Sequence, residues 1–155
     1  MAQKTAVKKM VWTEELVVDG SLIDNDHKFL IELINDFNEN VPNFSKSADM
    51  NPYLLSLKKY TQTHFGREER LQRSAQYHLH EEHLEEHRDM VAQLDKMIEK
   101  AEAADGEAIS SVAVEIATFL TDVWLVNHIM VNDMPMRPYV EGMREEAASM
   151  MDLRG

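Results

Sequence analysis

The chain has 155 residues, 44% of them hydrophobic and 28% charged, a balance that suits one folded domain with a buried core rather than a disordered chain. A net charge of −12 argues against a nucleic-acid partner, and the absence of cysteine excludes disulfides, a thiolate nucleophile and thiolate-bound metal. Any metal must be held by imidazole and carboxylate, and seven histidines are a rich supply for so short a chain.

Met1 to Met10 carries Lys4, Lys8 and Lys9 but neither the apolar run nor the small-residue cleavage site of a secretory leader. No apolar stretch approaches the roughly 20 residues of a membrane span, so a soluble, cytoplasmic chain is expected. Turn-forming residues gather at Val41-Pro42-Asn43 through Asn51-Pro52, around Ser74 to Tyr77, and at Asp105-Gly106. They cut the chain into four long segments.

In the first segment Ile23, His27, Leu30, Ile34, Phe37 and Val41 recur at alternating steps of four and three, the inward seam of a bundled helix. The second, with Asn51 as N-cap and Pro52 at the first helical position, repeats the pattern through Leu54, Leu57, Thr61, His64, Glu68, Leu71 and Ala75. The third gives His83, His87, Met90, Leu94, Met97 and Ala101. The fourth runs Ile109, Ala113, Ile116, Leu120, Trp124, His128 and Val131.

Short connections favour an all-α, antiparallel up-down-up-down four-helix bundle, with an extended N-terminal arm and a C-terminal tail that is either loose or a short helix. One domain spans 1–155, with its core at about 12–133 and the tail at 134–155. In such a bundle the start of helix one, the later part of helix two, the start of helix three and the end of helix four share one end. His27, His64, Glu68, His83, His87 and His128 therefore converge on one interior volume.

A single inward histidine is ordinarily a hydrogen-bonded core residue. Six inward polar groups together are another matter, because each costs about 1 to 3 kcal/mol if left unpaired, and a metal satisfies them all. His64 with Glu68 and His83 with His87 are spaced i, i+4, roughly 40° apart on one helix face. Asp133 follows His128 by five residues, so it joins them only where the helix loosens or ends. Pro135 supplies a reason for that loosening. His78 and His80 fall off the seam and are read as turn residues. Glu81, Glu82, Glu85 and Glu86 are read as a solvated face at a helix N-terminus.

Taken in order, His27, then His64-Phe65-Gly66-Arg67-Glu68, then His83-Leu84-Glu85-Glu86-His87, then His128 to Asp133, resemble the hemerythrin signature over approximately Trp12 to Asp133. The context Ile23-Asp24-Asn25-Asp26-His27-Lys28 and Trp124, four residues before His128, fit as well. The resemblance implies two iron ions with an oxo or hydroxo bridge. His83, His87 and His128 would hold one iron and His27 and His64 the other, with Glu68 and Asp133 bridging. One coordination position then stays open for dioxygen, and Phe65, Trp124, Leu125 and Ile129 correspond to the apolar pocket around it. The sequence departs from the family at His78, where many relatives have proline, and beyond Asp133, where Pro135 and Pro138 interrupt the expected helix and Met143, Met150 and Met151 pack on the bundle or on a partner.

The function so implied is reversible dioxygen binding for carriage, storage or delivery, with dioxygen and a possible protein recipient as partners. An oxygen or redox sensor module, iron storage and nitric oxide binding are the alternatives. Catalysis is not expected, since ferritin-like di-iron oxidases use carboxylate-rich sites with paired Glu-x-x-His and this donor set is rich in histidine.

Overall fold

The computed structural model describes residues 9–154; Lys4, Lys8 and the side chains of Met150 and Met151 lie outside what it describes. Among the described residues there are helices and no strands. The helices are α1 (Leu22–Asn40), α2 (Ser47–Ser74), α3 (His80–Ala103), α4 (Ala108–Phe119) and α5 (Arg137–Arg154). The first four form the antiparallel bundle: α2 packs on α1 and α3, and α4 closes the ring against both α3 and α1. The seams lie inside as the periodicity requires, with Leu30, Ile34, Leu54, Leu94, Ala113, Ile116 and Leu120 all fully buried.

Two segments tie the N-terminal side to the bundle. Met10 exchanges backbone hydrogen bonds with the Asn35 amide, at 3.0 and 2.7 Å. The Asp19 carboxylate then accepts from the N–H groups of Ser21, Ile23 and Asp24, which the first turn of α1 would otherwise leave unpaired. Asp24 in turn accepts from Val18 and Gly20. These bonds anchor the turn that carries His27.

Several expectations are corrected. Helix α2 begins at Ser47 rather than Pro52, because Asp49 accepts from the backbone N–H groups of Ser45 and Lys46 and so starts the helix one turn earlier. Leu71 and Ala75 are only half-buried while Gln72 is fully enclosed. After Glu68 the seam steps by four, not three. In α3 the buried residue is likewise Ile98 rather than Met97.

The largest departure is in the fourth helix. Beyond Phe119 it continues as π-helix over Leu120–Leu125 and Asn127–Asp133. This wider winding turns Val131 outward, to 62% exposure, although a regular helix would keep it on the seam. It begins well ahead of Pro135, so proline is not its origin. Pro135 and Pro138 do not end the helix either. They sit in the first turns of a 3-10 segment, Met134–Met136, and of α5, where no helical N–H is needed. The tail is accordingly a helix of 18 residues, and its Met136 and Val140 pack with Val18, Ile23 and Tyr77 into a second small core at the histidine-bearing end. Met143 is half-buried.

The stretch Ala108–Met143 is long and apolar enough to cross a membrane by length and composition, contrary to the reading of the sequence. In the bundle 44% of its apolar window is buried, and its inward side carries Trp124, His128 and Asp133.

Candidate metal centre

The antiparallel arrangement brings His27 from α1, His64 and Glu68 from α2, His83 and His87 from α3, and His128 and Asp133 from the π-wound end of the fourth helix to one place. None of the seven is more than 3% exposed. They form two groups of donor atoms, each within 4.8 Å: His27, His64, Glu68, His128 and Asp133, and Glu68, His83, His87 and Asp133. Both carboxylates belong to both groups.

Glu68 divides its two oxygens between them. Oε1 faces the Nε2 atoms of His64 at 2.6 Å, His128 at 3.1 Å and His27 at 3.3 Å, while Oε2 faces His87 Nε2 at 2.9 Å. Asp133 Oδ2 lies 2.7 Å from His27 Nε2 and 2.8 Å from His128 Nε2. The five-residue step from His128 to Asp133 works because π-helical i→i+5 bonding stacks residues five apart. The structure draws His128 to the group of His27 and His64, its Nε2 2.9 Å from that of His64, whereas the family resemblance assigns it to the metal of His83 and His87. The same two carboxylate oxygens attract all three rings. His83 Nε2 donates to the carbonyl of Asn132.

This enclosed charge shifts the titrating groups. Burial would push Glu68 upward, but the imidazoles of His128 and His64 hold it well below the usual carboxylate range. Burial alone would lower His27, yet its hydrogen bonds to Asp133 and Glu68 lift it to about 9. For His128 burial is likewise outweighed, by the charges of Asp133 and Glu68, and the result is about 10. His87 is raised too, chiefly by Glu68 acting against burial. Protons on the imidazoles thus balance carboxylates that a cation would otherwise neutralise. Three buried donor atoms, His27 Nδ1, His128 Nδ1 and Asp133 Oδ1, have no hydrogen-bond partner. The donor set of five imidazoles and two carboxylates suits a borderline transition metal better than calcium or magnesium, which prefer oxygen.

Residues 19–140 match the model of the hemerythrin HHE cation binding domain. The chain belongs to the hemerythrin family. It is 27% identical over 142 residues to a bacteriohemerythrin of Pseudomonas aeruginosa, covering 92% of this chain and 86% of that one. It is 28% identical over 124 residues to a bacteriohemerythrin of Stenotrophomonas maltophilia, with 80% and 76% covered.

Set against the hemerythrin signature, all seven expected ligands meet in one volume, and of the four apolar residues expected around it Phe65 lies against two of the rings. Phe65, Trp124, Leu125 and Ile129 are all buried. Phe65 stacks on His87 with ring centroids 3.8 Å apart and lies 5.1 Å from the His128 ring. The indole N–H of Trp124 donates to the Met90 carbonyl at 3.1 Å, so that its one polar atom is occupied. A groove of about 480 Å³ between α2 and α3 reaches the outer side of the Phe65–His87 stack, bordered also by Gly66, Glu69 and Leu84.

Around these expected ligands stand residues that sequence reasoning missed. His64 Nδ1 donates to Asp26 at 2.9 Å, His87 Nδ1 to Glu69 at 3.2 Å, and His83 Nδ1 meets the side-chain amide of Gln72. Gln72 also accepts from His80 Nδ1 at 2.9 Å and donates to Met136 Sδ at 3.1 Å. His80, read as an uninvolved turn residue, is thus linked to His83 through one amide, whereas His78 is exposed and hydrogen-bonds to Tyr139. Asp26 offered a signal, a charged residue directly before His27 on the same helix. Gln72 offered none until the register of α2 was known.

Proposed function

We propose that this chain binds dioxygen reversibly at a pair of iron ions, as an oxygen carrier, store or delivery protein rather than an enzyme. The observation that carries this reading is the sharing of Glu68 and Asp133 between two groups of buried imidazoles, the arrangement by which two carboxylates bridge two metals. His27, His64, His83, His87 and His128 would complete the two coordination spheres, with an oxo or hydroxo group as the remaining bridge. Bound there, iron supplies electrons that dioxygen takes up on binding and returns on release.

The rest is done by the chain's own residues. Phe65, Trp124, Leu125 and Ile129 exclude water from the ligand side, and among them the one N–H group is already taken by Met90. The pocket therefore offers bound oxygen no free proton, a condition that favours release over reaction. The hydrogen bonds of Asp26, Glu69 and Gln72 to the outer ring nitrogens hold the ligand rings in place. The high ratio of histidine to carboxylate supports holding oxygen over activating it. The apolar fourth helix carries the candidate metal donors on its inward side, which supports a bundle-core role for it rather than a membrane span.

Iron analysis after anaerobic reconstitution tests the reading. Two irons per chain are expected, with a visible absorption band that appears on admitting oxygen and disappears on its removal. A single tightly bound zinc that iron does not replace, or a band that never reverses, would overturn it.

A further inference from the structure

The five imidazoles of the centre differ in what their outer nitrogens meet. Nδ1 of His27 and of His128 have no partner, Nδ1 of His83 meets the neutral amide of Gln72, and Nδ1 of His87 reaches Glu69, whose side chain is 27% exposed. His64 alone among the five has its outer nitrogen paired with a buried carboxylate, that of Asp26, which is 5% exposed. A carboxylate out of water transmits far more of its charge than one at the surface.

Asp26 is also held more firmly than any other partner. Arg67 grips both of its oxygens, Nε to Oδ2 and Nη2 to Oδ1, each at 2.7 Å, and the Tyr60 hydroxyl donates to Oδ1 at 2.6 Å. Tyr60, His64 and Arg67 follow one another at steps of four and three along α2, so a single helix face presents the ligand and both clamping groups to Asp26 on α1. The Asp26 carboxyl thus faces the full charge of the Arg67 guanidinium through both of its oxygens. It remains an anion. An anion on Nδ1–H leaves Nε2 as the free ligating nitrogen, fixes the ring plane and makes the ring a stronger donor.

We propose that Asp26, gripped by Arg67 and Tyr60, is a positioning residue that makes His64 the strongest imidazole donor of the five and so renders the two metal positions unequal. The inference rests on the two-metal reading above. The position on the His64 side holds its metal more tightly and is biased toward the oxidised state. Asp26→Asn keeps the shape but removes the charge, while Tyr60→Phe removes one competing donor and leaves more of the carboxylate's charge to His64.

Titration of the metal-free chain with Co²⁺ against a chelator provides a measurement independent of oxygen. The parent is expected to take up two Co²⁺, and Asp26→Asn to bind one of them about 10- to 100-fold more weakly while keeping the other near parental affinity. In the iron-loaded protein the midpoint potential is expected to rise in Asp26→Asn and to fall in Tyr60→Phe. A parent that takes up fewer than two Co²⁺ overturns the two-metal reading and this inference with it. A parent that takes up two, with Asp26→Asn binding both at parental affinity, overturns the inference alone. Shifts of potential with the same sign in the two variants would mark loosened packing and likewise overturn it. If Asp26→Asn does not fold, Tyr60→Phe decides: an unchanged or raised potential refutes the proposal.

Discussion

Leu125 precedes His128 by three residues on the fourth helix and is completely buried in the main core. Its truncation separates packing from protection of the site. Leu125→Ala removes three carbon atoms, about 2.4 kcal/mol at roughly 0.8 kcal/mol per buried methylene, and the cavity left behind brings the loss to about 3 to 4 kcal/mol. For a chain of this size that corresponds to a fall in melting temperature of roughly 6 to 16 °C. With Leu125 over the oxygen site, as the hemerythrin resemblance implies, the enlarged space would admit water, so the oxygenated form is expected to decay to the ferric state faster than in the parent, with iron content and helical circular dichroism nearly unchanged. Leu125→Met keeps the volume and is expected to cost less than about 1.5 kcal/mol and to decay at close to the parental rate. Stopped-flow absorbance of the oxygenated band, with calorimetry of the same samples, measures both quantities. Equal or slower decay in Leu125→Ala with intact iron would show that Leu125 does not guard the site.

Three further outcomes follow from the geometry. His87→Ala leaves Glu68 Oε2 without its imidazole and is expected to lose iron and melt at a lower temperature, whereas His80→Ala, which only steadies Gln72, keeps its iron; metal analysis and melting curves distinguish them. For the metal-free chain, His27 and His128 have folded pKa values of about 9 and about 10, above the unfolded value of about 6.5. Their contribution to stability is therefore complete below about pH 6.5 and is lost as the pH rises through 9 to 10, so the melting temperature is expected to fall over that range, and less steeply in the metal-loaded protein. Gln76, at φ 53°, occupies the left-handed position that closes α2 with a Tyr77 N–H to Gln72 carbonyl bond of 2.9 Å. Gln76→Gly is expected to raise stability by up to about 1 kcal/mol, measured by denaturant titration, because glycine adopts that conformation without steric cost.

The sequence by itself determined the helices, their antiparallel order and the set of inward donors, because a 3.6-residue period and turn residues are local properties that need no knowledge of the partner helices. His27, His64, Glu68, His83, His87 and His128 were legible as one cluster for that reason. Asp133 was legible only on the condition that the helix loosen or end after His128, and the family resemblance named it as a ligand. Its geometric licence is the π-helical winding of Leu120–Leu125 and Asn127–Asp133, which carries Val131 outward while bringing Asp133 in. The tertiary structure alone decided that Gln72 rather than Leu71 is enclosed, since a step of three or four after Glu68 is equally helical and the neighbouring α3 and Met136 select between them. It also decided that the tail is a long helix closing the histidine end, because Val140 and Met136 gain a core only where Val18, Ile23 and Tyr77 are already gathered. The partners of the outer ring nitrogens belong to this class as well. Asp26 meets His64, Arg67 and Tyr60 across the α1–α2 interface, and contacts between residues 34 to 41 positions apart are set by how two helices face each other, which no local pattern encodes.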